Sequence, residues 1–244
     1  MWRIGVDEAG RGPVIGPLVV AAFACPENDV ELLKQAGVRD SKDLTAERRL
    51  ELTEWILKES EVRGWRLHIH TSTAAAIDNA MQRSDLNQHE CDLFALCSDV
   101  VIQGLESGIL RLDACDINQK RFGDNVCARM KEWPKENWQV VSEHKADSNY
   151  PVVAAASILA KQTRDEAIEK LSNIKGFELG SGYPSDPTTR AAVRRLIVDG
   201  IPDDCIRWRW KTCEDICIEE YGQRPPTRPS VKDGAPEPAQ RTLF

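Results

Sequence analysis

Apolar and polar positions along the chain alternate between two periods. Short apolar runs bounded by turn residues predict strands at 3–6, 65–70, 109–113 and 139–141, and a stretch rich in branched aliphatics at 14–23 predicts a central strand. Leu93, Cys97, Val101 and Leu105 recur at helical spacing within a helix expected over 86–105, and Thr45 is placed to cap another that reaches about Lys58. A run of small residues predicts a long helix from Val152 to about Leu171, after which the chain is mainly helical. Strands and helices in this order predict an α/β fold, with a mixed central sheet flanked by helices and a helical C-terminal region. No internal repeat is present.

Composition changes this picture at the C-terminus. From Gly222 onward the chain is dense in proline and poor in large apolar groups, which predicts one domain over 1–221 and a disordered tail over 222–244. The 244 residues, 41% of them apolar, can bury a substantial core. The eight cysteines form no Cys-x-x-Cys pair and the four histidines lack finger spacing, so the thiols read as small buried groups in a reducing cytoplasm. No apolar run is long enough to span a membrane, and Asp7 and Glu8 interrupt any N-terminal signal sequence.

The chemistry concentrates in Gly5-Val6-Asp7-Glu8-Ala9-Gly10-Arg11-Gly12-Pro13, where adjacent carboxylates stand beside a Gly-Arg-Gly turn. On a regular strand Asp7 and Glu8 point to opposite faces, so reaching one site together requires the chain to leave regular pleating there. Asp113 ends the strand at 109–113, and Asp147 precedes the long helix. Asp116, three residues beyond Asp113, is the alternative third acid if the strand boundary shifts, and otherwise a turn or capping residue. Gly180-Ser181-Gly182-Tyr183-Pro184 is a turn-dense loop exposing one of three tyrosines. Taken singly, each of these segments is more simply a strand end, a helix cap or a loop.

Together they are more specific. Asp7 to Pro13, Asp40-Ser41-Lys42-Asp43-Leu44-Thr45, Lys145-Ala146-Asp147, Ala154 to Lys161 and the Gly-Tyr-Pro loop stand in the order seen in type 2 ribonucleases H. The chain resembles ribonuclease HII, nearer the archaeal and eukaryotic catalytic subunits than the bacterial form, from Arg3 to about Cys217.

That resemblance implies a ribonuclease H-like fold and a metal-dependent endonuclease that cuts the RNA strand of RNA/DNA hybrids. It further implies incision 5′ of single ribonucleotides in duplex DNA, leaving 3′-OH and 5′-phosphate ends. The implied metal ligands are Asp7, Glu8, Asp113 and Asp147, holding two Mg²⁺ or Mn²⁺ ions. Gly10, Arg11 and Gly12 would sense the ribose 2′-hydroxyl, Tyr183 would stack under the neighbouring deoxyribose, and Lys42 and Lys145 would lie along the substrate. Hard dications suit carboxylate oxygens, and two of them about 4 Å apart relieve charge in phosphodiester hydrolysis.

The formal charge of −7 is unusual for a nucleic-acid enzyme, but clustered basic residues outweigh net charge. Arg190, Arg194 and Arg195, and the run Arg207-Trp208-Arg209-Trp210-Lys211, are either a duplex-backbone surface or a solvated helix face and a Trp-packed core edge. The terminal Gln240-Arg241-Thr242-Leu243-Phe244 resembles a clamp-interacting peptide, with Gln240, Leu243 and Phe244 as anchors; its alternative is an inert tail end. The short N-terminus and compact length favour a monomer working without accessory subunits. The competing reading is a non-catalytic hybrid-binding or sliding-clamp adaptor protein, against which the four acids argue.

Overall fold

The computed structural model describes residues 1–131, 133, 136–229 and 240–243. Its sheet has the order β5-β4-β1-β2-β3-β8, with β1 (Trp2–Ala9), β2 (Leu18–Pro26), β3 (Arg66–Ser72), β4 (Gly108–Asp113), β5 (Trp138–Glu143) and β8 (Gln240–Leu243). The pairings β1–β2, β2–β3 and β3–β8 are antiparallel, while β1–β4 and β4–β5 are parallel. Between β2 and β3 lie α1 (Val30–Gln35) and α2 (Ala46–Arg63); α3 (Ala74–Arg83) and α4 (Leu86–Ile102) lead to β4, and α5 (Gln119–Cys127) leads to β5. The chain continues through α6 (Ala146–Asn149), α7 (Pro151–Lys175), α8 (Pro187–Arg195), the short pair β6 (Ile197–Val198) and β7 (Ile201–Pro202), and α9 (Lys211–Tyr221).

β2 explains the sheet's two-sided burial. Leu18, Val20, Ala22 and Ala24 face a core completed by Phe94 and Phe122, whereas Val19, Ala21, Phe23 and Cys25 face one completed by Trp65, Ile56 and the alanines of α7. A strand covered on both faces needs apolar residues at every position. β2 nevertheless starts at Leu18 rather than Val14, because Gly16-Pro17 interrupts the ladder; Val14 and Ile15 join a third core with α8 and α9. α7 lies directly on β1, and a Cβ on Gly5 would meet the Val152 backbone at 2.3 Å, so only glycine admits that approach. The small residues of α7 thus serve the same contact from the other side.

Within the segment from Gly222 to Pro229 the chain is anchored at Arg228, which is 5% exposed, pairs with Asp78 at 3.0 Å and stacks over Trp208. Gln240–Leu243 forms an edge strand that no sequence periodicity announced, while Phe244 and residues 230–239 lie outside the described residues. Among the described residues no helix is long and apolar enough to cross a membrane.

Candidate active site

Parallel pairing builds the acid cluster. Val6 of β1 stands in register with Leu112 of β4, so Asp7 and Asp113, one position further along each strand, emerge side by side. Asp147 arrives from α6, after β5, where Lys145 takes a left-handed conformation (φ 58°) that turns the chain inward. Asp7, Asp113 and Asp147 each offer a carboxylate oxygen within 4.8 Å of the other two. The Ala146 N–H donates to Asp113 Oδ1 at 3.0 Å, and the Ser148 N–H donates to Asp147 Oδ1 at 2.9 Å. Asp147 Oδ2 is buried without a hydrogen-bond partner, 3.6 Å from Lys42 Nζ.

Contrary to the expectation of a break in pleating, β1 remains regular through Asp7↔Ala21, Glu8↔Val20 and Ala9↔Val19. Period two therefore holds, and Glu8 joins a second group with Glu90 and Cys115. The Cys115 thiol donates to Glu8 Oε2 at 3.1 Å. The two groups are close neighbours, because the Glu8 charge acts on both Asp7 and Asp113.

Crowding of like charges in a buried place sets the protonation. Burial, then the charges of Glu8 and Asp113, hold Asp7 well above the usual carboxylate range. Burial pushes Asp113 up to about 6, with the Ala146 N–H opposing and Glu8 and Asp147 reinforcing. Asp147 is also raised, chiefly by burial, against the pull of Lys42. Burial works to lower Lys42, but the charges of Asp147, Asp40, Asp7 and Asp113 outweigh it and raise its pKa. Three raised acids, with one buried oxygen that accepts no hydrogen bond, form a donor set suited to a hard divalent cation, which would neutralise them together.

The Gly-Arg-Gly turn is held from behind. Arg207, fully buried, donates from Nε to Gly16 O at 3.1 Å, from Nη1 to Arg11 O at 2.9 Å and from Nη2 to Gly10 O at 2.5 Å. It stacks on Trp210, whose Nε1–H donates to Gly12 O at 3.1 Å. Three successive turn carbonyls are thereby occupied, which leaves the outward side of the turn available. Gly10 has φ +92°, and a Cβ there would meet Pro17 O at 2.5 Å. The Arg11 side chain pairs with Glu90 and donates to Asn87 Oδ1 at 2.7 Å. Tyr183 is brought to the same place: its ring lies 3.4 Å from where a Gly12 Cβ would sit, it is 40% exposed, and its loop is tied in by the Val14 N–H to Gly182 O bond of 2.8 Å.

The structure thus gathers Asp7, Glu8, Asp113, Asp147, Lys42, Gly10, Arg11, Gly12 and Tyr183 into one region. Lys145 adjoins Asp147 but is exposed. Gln240 and Leu243 lie on β3 instead. Asp116 caps the turn into α5, accepting from the Asn118 N–H and pairing with Arg121, and does not join the acids. Of the two basic segments, Arg207 and Trp208 are core and Arg194 pairs with Glu219 and Glu220, while Arg195, over the Phe177 ring, Arg209 and Lys211 are exposed. Glu90, fully buried, was missed; it stands one helical turn before Leu93 on the apolar face of α4, and a lone acid on such a face is a signal of a partner.

Comparison with known proteins agrees with the geometry. The family model described as Ribonuclease HII matches residues 4–213. Ribonuclease HII of Methanocaldococcus jannaschii is 40% identical over 225 residues, covering 88% of this chain and 95% of the relative. The ribonuclease H2 structure from Pyrococcus horikoshii OT3 superposes with a TM-score of 0.76 at 35% identity, over 90% of this chain and 98% of that one. The PCNA:RNase HII complex from Archaeoglobus fulgidus gives 0.73 at 38% identity, over 88% and 96%. With a ribonuclease H-like mixed sheet carrying this acid cluster, the chain belongs to the ribonuclease HII family and is a ribonuclease H hydrolase.

Proposed function

We propose that the protein hydrolyses the RNA strand of RNA/DNA hybrids and incises duplex DNA on the 5′ side of single ribonucleotides, leaving 3′-OH and 5′-phosphate ends. The observation that carries this reading is the link from the acids to the turn: Glu8, whose charge acts on Asp7 and Asp113, shares a group with Glu90, and Glu90 pairs with Arg11 of the backed turn beside which the Tyr183 ring lies. The acids suit a phosphate-hydrolysing centre; the turn and the ring suit recognition of a sugar edge beside it.

Asp7, Asp113 and Asp147, with Glu8 at the side, would hold two Mg²⁺ or Mn²⁺ ions. When bound, such ions supply an activated water and relieve charge on the phosphate and leaving oxygens. The residues of the chain do the rest. Gly10 and Gly12 carry no side chain, so a nucleotide backbone can approach the turn, and Arg207 and Trp210 hold its carbonyls so that this edge stays in place. Arg11, braced by Glu90 and Asn87, presents a fixed guanidinium. Tyr183 offers a flat face to the adjoining sugar. Lys42, a mostly exposed cation beside Asp147, faces the backbone phosphates. A site whose polar groups are satisfied by a 2′-hydroxyl leaves them unpaired against DNA, and that difference can reach several orders of magnitude.

The terminal sequence Gln240 to Phe244, with the Archaeoglobus fulgidus complex as precedent in a relative 38% identical, supports binding of a sliding clamp through Gln240, Leu243 and Phe244. The chain acts as a monomer on this reading.

The test is a 5′-labelled DNA duplex carrying one ribonucleotide, incubated with Mg²⁺, Mn²⁺ or EDTA beside an all-DNA duplex. Metal-dependent incision 5′ of the ribonucleotide alone is the expected result. Equal cleavage of the all-DNA duplex, or cleavage in EDTA, would overturn the reading.

A further inference from the structure

β3 would form the outer edge of the sheet if β8 were absent. β2 pairs with one side of β3, and Gln240–Leu243 pairs with the other, in register from Leu67↔Leu243 to His70↔Gln240. An uncovered edge would display a row of unpaired N–H and C=O groups, which is a template for any extended peptide. The segment that covers it is the one whose sequence resembles a clamp-interacting peptide.

The two uses of this segment are incompatible in backbone terms. Residues 240 and 243 are three apart, so a pleated strand places them on opposite faces. A single partner groove that takes both needs them on one side, as a helical turn would place them. The backbone groups that pair with β3 are also unavailable to any other strand.

The tail is fastened close to this edge. Arg228 is pinned by Asp78 of α3, the helix that follows β3, and its Nη1 lies 3.0 Å from Asp204 Oδ1. Arg228 and Pro229 line one cavity with Thr71 and Thr73 at the end of β3. The ten residues from 230 to 239 can span at most about 35 Å, so the tether keeps β8 near β3 at an effective concentration on the order of millimolar.

We infer that the outer edge of β3 is a docking surface for the chain's own C-terminal strand, and that a sliding clamp must peel β8 from it to engage Gln240, Leu243 and Phe244. The inference rests on the clamp reading above. A clamp then meets a peptide that is available only in its undocked fraction, and its apparent affinity falls by that fraction. Clamp engagement also uncovers the β3 edge, so the sheet is closed when the enzyme is alone and open when it is recruited.

Amide hydrogen exchange over residues 66–72 tests this, in the full chain, in a chain lacking residues 240–244, and in the full chain with PCNA from Archaeoglobus fulgidus, with retention on that PCNA measured in parallel. The β3 amides that face β8 should exchange about tenfold or more slowly in the full chain than in the truncated one. Bound PCNA should return them to the truncated rate, while α7 exchanges equally in all samples and so reports an intact fold. Equal exchange in full and truncated chains would overturn the docked strand. Undiminished protection in a sample retaining PCNA would overturn the competition. Absence of retention, with β3 still protected, would remove the clamp reading and the competition with it, leaving the docked strand in place.

Discussion

Asp7 is where folding and chemistry conflict most. It is 4% exposed and surrounded by carboxylates, so the folded protein keeps its proton to a higher pH than the unfolded chain does. For an acid raised in this way the native state binds more protons, and stability falls as pH rises. For Asp113 the loss runs from the ordinary carboxylate range up to about 6 and is complete above it. Metal-free protein should therefore lose melting temperature between about pH 4 and 7 through these groups, and Mg²⁺ at pH 7 should restore it. Asp7→Asn removes a carboxyl whose ionisation the fold opposes, so its metal-free melting temperature at pH 7 should exceed the wild-type value, by about 2–4 °C per kcal/mol relieved. A lower value would contradict the crowding. Arg207 gives the opposite result: Arg207→Met strands the buried Gly10 and Gly16 carbonyls, each costing about 1–3 kcal/mol, and releases the half-buried Arg11 carbonyl. Urea unfolding should show a loss of at least about 2 kcal/mol, partly recovered in Arg207→Lys; a neutral Met variant would mean the turn supports itself.

At the level of elements, the sequence was legible where the signal was local. Thr45 caps α2 through the Arg48 N–H as expected, and the Leu93–Cys97–Val101 spacing marked the buried face of α4. Asp7, Asp113 and Asp147 stand at strand ends or a helix entry, which singles out none of them; the resemblance to ribonuclease HII joined them as a ligand set, and the β1–β4 ladder and α6 bring them together. What was not legible depended on partners distant in sequence. The pleat of β1 runs through Glu8 because β2 pairs with it as far as Ala9, which divides the two acids between neighbouring groups. Arg207 sits in a run whose alternating cations suited a surface equally well, and only its three backbone acceptors, all near residues 10–16, distinguish the buried role. β8 is four residues long and carries no pattern of its own. The Gly180–Pro184 loop belongs to this scale too. Its Tyr183 touches the Gly10–Gly12 turn rather than the acids, so Tyr183→Ala should impair cleavage at a single embedded ribonucleotide more than cleavage of a long hybrid. Equal impairment of both, read as kcat/KM on the two substrates, would refute a role in sensing the junction.

Across the whole molecule, an acidic protein must bind a polyanion beside a cluster of its own carboxylates. Arg207 is buried behind the turn and Arg194 is paired with Glu219 and Glu220, and the acid cluster itself repels phosphate when bare. Divalent ions should accordingly strengthen hybrid binding as well as enable cleavage: affinity for a non-cleavable duplex should rise at least about tenfold from EDTA to Ca²⁺ at constant ionic strength. Affinity indifferent to the ion would place the duplex away from the acids. The most direct test of the central claim compares wild type and Asp7→Asn on a duplex with one ribonucleotide, measuring incision and binding in the same Mg²⁺ buffer. The account predicts that incision falls by at least about a thousandfold while binding of the duplex stays within a few-fold. Incision retained by Asp7→Asn would contradict it.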